Sequence, residues 1–180
     1  MVYIHLAKGF EEIEALTAAD LLRRVDVDAA LVSVTGKLIV EGAHGIRVQA
    51  DCLFEDADYE QCSMIVLPGG LPGTFGLRDH EGLCARIREF DRQGKTIAAI
   101  CAAPLVLGTL DLYRGRKATI YTGMEEHLTG AVPAADKVVC DGNIITSKGP
   151  GTAMDFALAL VESIRGAQTA EELRKDLLLK

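Results

Sequence analysis

Thr96-Ile-Ala-Ala-Ile-Cys-Ala-Ala-Pro104 is the stretch on which the reading of this chain turns. It begins as an apolar run of the kind that forms a buried strand and ends in a helical pattern. Cys101 stands at the junction. A sharp strand-to-helix turn of this sort, a nucleophile elbow, lifts one side chain clear of the sheet and tolerates only small neighbours. Ala98, Ala99, Ala102 and Ala103 supply that smallness. Unpaired amides at the start of the following helix create a positive local field, so Cys101 is expected to be an ionised, reactive thiolate. Composition alone favours a cysteine packed as a small core hydrophobe. Its position at the elbow favours chemistry.

Working outward, Gly94 leads into this strand from a helix expected over 82–93, and Met64–Leu67 reads as a buried strand ending in Pro68-Gly-Gly-Leu-Pro-Gly73. Upstream, Val2–Leu6 is a short strand, residues 10–25 carry helical periodicity, and residues 29–34 form a second strand. Gly42 and Gly45 break residues 36–50 into a small hairpin-like excursion. Downstream come a strand near 117–121, a hairpin turning at Asp141-Gly142, a helix over 152–164 and a terminal helix over 169–178. Strands alternating with helices imply an α/β fold with a mostly parallel sheet covered on both faces. Ligands in such folds bind beyond the carboxyl ends of the strands, where Ala7–Glu11, Pro68–Gly73 and Cys101 converge.

With 180 residues, 49% of them hydrophobic, the chain is expected to form one domain over 1–180. A net charge of −7 with scattered basic residues argues against nucleic acid as a partner. No apolar run approaches the roughly 20 residues that span a bilayer, and the first residues lack signal-peptide character, so no membrane association and a cytoplasmic location are expected. Five cysteines without a CxxC pair fit reduced thiols rather than a disulfide framework or a zinc site. The histidines have no ligand spacing to one another, so no metal is expected.

Glu14 is the second residue that asks for an explanation. At about 100° per residue it shares the apolar stripe of Ala18, Leu21 and Val25. A carboxyl held in low dielectric has a raised pKa and can exchange a proton near neutrality, which makes Glu14 the acid/base partner of Cys101. Its alternative is a partly solvated first-turn glutamate, the reading preferred for Glu11 and Glu12. Gly69 and Gly70 permit close backbone approach to a ligand, and the amides of Gly70 and Ala102 are candidate oxyanion donors. Lys148-Gly-Pro-Gly-Thr152 resembles a phosphate cradle in its glycines but lacks P-loop spacing, which favours a helix-entry turn capped by Thr152. His127 is able to approach Cys101, although a surface histidine is the commoner outcome. Tyr121 is a candidate for lining the site.

Taken together, Ala7-Lys-Gly-Phe-Glu-Glu-Ile-Glu14, Val66-Leu-Pro-Gly-Gly70, Ala98-Ala-Ile-Cys-Ala-Ala-Pro104 and Thr146-Ser-Lys-Gly-Pro-Gly-Thr152 resemble the ThiJ/PfpI superfamily, specifically its protein deglycase branch, over nearly the whole chain. The resemblance implies a flavodoxin-like three-layer sandwich, a homodimer, Cys101 as an oxidation-prone nucleophile and Glu14 as the protonated acid beside it. It implies cofactor-free glyoxalase or deglycase chemistry on methylglyoxal-type dicarbonyls or their adducts with proteins, giving lactate. The alternative is an oxidative-stress sensor or holdase chaperone that works through oxidation of Cys101. Ala102 stands where protease branches place His, and residues 149–155 lack the His-x-Glu of glutamine amidotransferases, which disfavours both activities. Tyr121 replaces a His, and His44 replaces a cross-dimer Arg, found in some members.

Overall fold

The apolar run at 96–100 becomes an interior strand because it is hydrogen-bonded to a neighbour on each side and buried on both faces. The structure is a computed structural model and describes residues 1–179. In chain order the elements are β1 (Val2–Leu6), α1 (Glu12–Arg24), β2 (Ala29–Ser33), β3 (Ile39–Glu41), β4 (Arg47–Gln49), β5 (Cys52–Leu53), β6 (Met64–Leu67), α2 (Gly73–Asp79) and α3 (Glu81–Gln93). They continue with β7 (Thr96–Ile100), α4 (Pro104–Thr109), β8 (Lys117–Ala118), β9 (Val132–Pro133), β10 (Val138–Asp141), β11 (Ile144–Ser147), α5 (Ala153–Arg165) and α6 (Ala167–Asp176).

Seven strands form one sheet in the order β10-β11-β7-β6-β1-β2-β5, parallel except for the edge strand β10. Strand alternation divides the core. Ile4, Leu6, Val66, Ile100 and Ile145 face Leu21 and Leu22 of α1 and Phe156 and Leu160 of α5. Tyr3, Ile65, Leu67, Ile97 and Ala99 face Leu77, Leu83, Ile87, Phe90 and Val106 on the other side. This is the expected three-layer, flavodoxin-like arrangement. Each such fully buried aliphatic or aromatic side chain contributes about 1.5–3 kcal/mol.

The chain runs from β1 outward through β2 to β5, then returns to β6 on the opposite side of β1. That reversal is the switch point, and it leaves a crevice between the loop after β1 and the loop after β6. β11 lies beside β7 with Ser147 opposite Ile100, which carries the loop starting at Lys148 to the elbow.

One element was not foreseen and one expectation changes. The sequence reading assigned no element to the residues of α2, where Thr74 and Leu77 are completely buried and tertiary packing sustains a helix despite Gly73 and Gly76. The strand expected over 117–121 is only two residues long and pairs with β9 outside the main sheet. The Gly36–Ala50 excursion is the hairpin β3–β4, yet it does not stand away from the body, because Val40 packs in the core against α1's side of the sheet.

Candidate active site

β7 ends at Ile100, and Cys101 then takes a left-handed backbone with φ of 63°. For a non-glycine residue this stores strain of about 1–3 kcal/mol, which the surrounding bonds must hold. They do so from two sides: the Cys101 N–H donates to Ser147 O at 3.0 Å, and its carbonyl accepts from the Tyr121 N–H at 2.9 Å. The neighbours had to be small. Ala98, Ala99 and Ala103 are fully buried and Ala102 nearly so, whereas Cys101 remains partly accessible.

Glu14 projects from the first turn of α1 and is 1% exposed. Its Oε2 accepts the Gly69 N–H at 2.7 Å, and its carboxyl is hydrogen-bonded to the Cys101 sulfur. Its Oε1 is buried without a partner among the described residues. A β-carbon at Gly69 would lie 2.5 Å from Cys101 Cβ and 2.9 Å from Glu14 Oε2, so only glycine fits between nucleophile and acid. Gly70 has φ of 87° and lies against the backbone of Gly9 and Phe10. The N–H groups of Gly70 and Ala102 both point at the Cys101 sulfur. Gly69 is different from expectation: its amide is committed to Glu14 rather than open to a ligand.

Burial raises the Glu14 carboxyl to about 7, against the opposing hydrogen bonds from Gly69 and Cys101. The expectation for Cys101 is corrected. Burial first, then the charge of Glu14 and the hydrogen bond the thiol donates to it, push the thiol up to about 12, and the Gly70 and Ala102 amides oppose this without outweighing it. α4 is also only six residues long and begins three positions later, too short and too distant to ionise the sulfur through its dipole. The resting site is therefore a thiol hydrogen-bonded to a carboxyl poised near neutrality.

Tyr121 lines the site with its ring half exposed, next to Gly149. A β-carbon at Gly149 would lie 3.3 Å from Tyr121 Cδ2 and 3.8 Å from Cys101 Sγ. Gly149 was not singled out as a site residue, because its place beside the sulfur depends on strand order. Thr152 does close its loop, but as a hub rather than a simple cap: its Oγ1 donates to Gly149 O at 2.9 Å and pairs with Ser147 Oγ at 2.7 Å. His127 lies 3.9 Å from Glu126 and is not among the groups that act on the Cys101 sulfur.

Glu11 and Glu12 overturn the solvated reading: they are 7% and 4% exposed. The β3–β4 hairpin folds over the start of α1, with Gly9 N–H donating to Glu41 O and Ala43 N–H donating to Phe10 O, each at 2.8 Å. His44 then grips Glu12 with its backbone N–H at 2.8 Å and its Nδ1 at 2.7 Å. Burial pushes the Glu12 carboxyl up, but these bonds outweigh it and leave the group below its usual range. His44 is raised in turn, by its bond to Glu12 and then by the charge of Glu11. Glu11, Glu12 and His44 offer three ligand-type atoms within 4.8 Å of one another. They satisfy one another.

The model of the DJ-1/PfpI family matches residues 1–163, which include every element of the elbow, the acid and the glycine turn. The chain belongs to the DJ-1/PfpI family. Among its relatives, the glutathione-independent glyoxalase DJR-1.2 of Caenorhabditis elegans is 33% identical over 94% of this chain and 90% of its own length. DJ-1 homolog A of Arabidopsis thaliana is 40% identical over 99% of this chain, which spans only 46% of that protein. The solved structure of oxidized DJ-1 from Toxoplasma gondii superposes with a TM-score of 0.95 at 36% identity, covering 99% of this chain and 97% of the other. Within the DJ-1/PfpI fold, the cysteine and the glutamate occupy the crevice where the topology predicts a ligand site. No helix among the described residues is long and apolar enough to cross a membrane.

Proposed function

We propose that the chain is a cofactor-free glyoxalase that uses Cys101 as nucleophile and Glu14 as acid/base on methylglyoxal-type dicarbonyls, free or reversibly bound to protein thiols and amines. One observation carries this reading: the carboxyl bonded to the elbow sulfur is buried and poised at about 7. Such a group is populated as both acid and base near neutral pH.

The proposed steps use the groups that meet at the sulfur. Sγ adds to the aldehyde carbon while the thiol proton passes to Glu14, so one negative charge moves from carboxylate to substrate and no isolated thiolate is needed. The Gly70 and Ala102 amides, which both act on the Cys101 sulfur, are the proposed donors to the aldehyde oxygen as it becomes anionic. That oxygen takes the proton back from Glu14 to give the hemithioacetal. Glu14 then removes the hydrogen on the former aldehyde carbon, leaving an enediolate, and returns the proton to the adjacent carbon as the hydroxyl proton passes to the other oxygen. The product is a lactoyl thioester on Cys101, which water cleaves to lactate and the thiol. The unpartnered Glu14 Oε1 is the atom free to carry the transferred proton.

Lactate formation from methylglyoxal by the wild type, Cys101→Ala and Glu14→Gln tests this. Loss of activity in both variants is expected; equal rates in all three sink the proposal.

The sensor reading draws on the same geometry. A partly accessible sulfur beside a protonated carboxyl and two amides suits a sulfinate formed by peroxide, and the Toxoplasma relative was solved in an oxidized form. Protection of an aggregating client that appears only after peroxide treatment, with no methylglyoxal turnover, favours the sensor. Ile13 and Leu16 of α1 are exposed at 55% and 37%, which supports a homodimer through this helix. Five free cysteines fit a reducing, cytoplasmic setting.

A further inference from the structure

The Lys148–Thr152 loop is the motif that the proposed chemistry leaves unused. It leaves β11 directly beside the elbow, and Gly149 is its point of contact with the Cys101 sulfur and the Tyr121 ring. On its outer side lies a cleft of about 470 Å³ walled by Tyr121, Thr122 and Lys148–Thr152. That volume falls within the roughly 300–1,000 Å³ of small-molecule sites and far exceeds what methylglyoxal fills. A second hollow of about 270 Å³ continues from it, sharing Thr122 and Lys148.

The polar groups of this cleft are unequal. The Thr152 hydroxyl is taken up by Ser147 and Gly149, which fixes the loop. Lys148 is half-buried and makes no ion pair among the described residues. Glu125 lines the adjoining hollow with Lys148, but its carboxylate accepts the Gly123 N–H at 2.9 Å. Glu125 is held low mainly by backbone N–H groups, with the charge of Lys148 contributing last. A half-buried lysine without an ionic partner among the described residues, on a cleft whose Tyr121 and Gly149 walls flank the nucleophile, is arranged to receive negative charge from a ligand.

We infer that this cleft is a subsite for an anionic group, carboxylate or phosphate, carried by the carbonyl substrate, with Lys148 as its charge partner. The inference deepens the glyoxalase reading and rests on it for the carbonyl end of the ligand. The substrate class becomes 2-oxoaldehydes, or adducts of them, that bear an acidic group on the side away from the aldehyde.

Occupancy is read by protection of Cys101 from iodoacetamide, followed by mass spectrometry, which needs no turnover. The probes are levulinate for a carboxylate, glycerol 3-phosphate for a phosphate, and methyl levulinate as the neutral control. In the wild type, at least one charged probe is expected to protect at about tenfold lower concentration than the ester, the scale of one charge-assisted hydrogen bond. Whichever charged probe leads identifies the anion. Lys148→Met is expected to erase the gap, and Lys148→Arg to keep it. Protection by both charged probes no better than by the ester in the wild type, or a gap that survives Lys148→Met, overturns the subsite. Absence of lactate formation refutes the glyoxalase reading and leaves the protection result standing, so the two failures are distinguishable.

Discussion

Replacing Gly69 with alanine adds one methyl group at the most crowded point of the site. That methyl would sit 2.5 Å from Cys101 Cβ, 2.9 Å from Glu14 Oε2 and 3.0 Å from Ile100 O. None of these is the free end of a flexible chain: the first belongs to the strained elbow, the second is held by the Gly69 amide, and the third is backbone. Overpacking of this kind costs about 1–3 kcal/mol. At 2 kcal/mol, a chain of this size loses roughly 4–8 °C in melting temperature. The larger effect falls on chemistry, because a nucleophile displaced by about 1 Å from its acid loses on the order of 100-fold in rate. The assay pairs thermal unfolding with lactate formation from methylglyoxal. Gly151→Ala is the stability control, since a β-carbon there meets nothing within 4 Å. A Gly69→Ala protein that melts with the wild type and makes lactate at the wild-type rate refutes the claim that Gly69 keeps sulfur and carboxyl in contact.

Glu14→Gln separates reactivity from catalysis. It removes the charge that helps hold the Cys101 thiol at about 12 and exchanges the carboxylate acceptor for a weaker neutral amide oxygen, while burial and the Gly70 and Ala102 amides remain. The thiol is expected to titrate at least about one unit lower by ultraviolet thiolate absorbance, and to alkylate faster at pH 8, in a variant that no longer makes lactate. An unchanged titration contradicts the pairing. His5 gives an acid-stability prediction. It is fully buried, with Nε2 2.6 Å from the Tyr59 hydroxyl, and burial lowers it to about 3. Its folded pKa lies below its unfolded one, so its contribution is complete above pH 6.5 and is lost as pH falls toward 3. The slope approaches 1.4 kcal/mol per pH unit, about 2 kcal/mol between pH 6.5 and 5. Denaturant unfolding of His5→Phe at both pH values checks this: the variant's acid loss is expected to be smaller than the wild type's by that amount, and equal losses refute it.

What the sequence revealed about the site depended on how local each cause is. Cys101 was legible because an apolar run, four alanines and a helix start within nine residues leave little choice of backbone. Glu14 was legible because helical spacing alone puts it on the stripe of Ala18 and Leu21. Gly70 and Ala102 followed from the rule that ligands lie beyond strand ends. The rest depends on distant parts of the chain. Glu11 and Glu12 are buried by a hairpin some 30 residues away, with His44 closing over them. Gly149 reaches the sulfur only because β11 pairs with β7. The thiol's ionisation was misjudged for the same reason, since a short helix and local amides suggest a thiolate until the depth of burial and the carboxyl are both placed.

The central claim is that Glu14 is a carboxyl held near neutrality by burial and bonded to the Cys101 sulfur. Carbon NMR of side-chain-labelled glutamate, assigned through Glu14→Gln, follows this group directly through a pH titration. The account predicts a midpoint near 7 that moves when Cys101 is replaced by alanine. A midpoint at the ordinary value near 4.5, indifferent to that replacement, would contradict it.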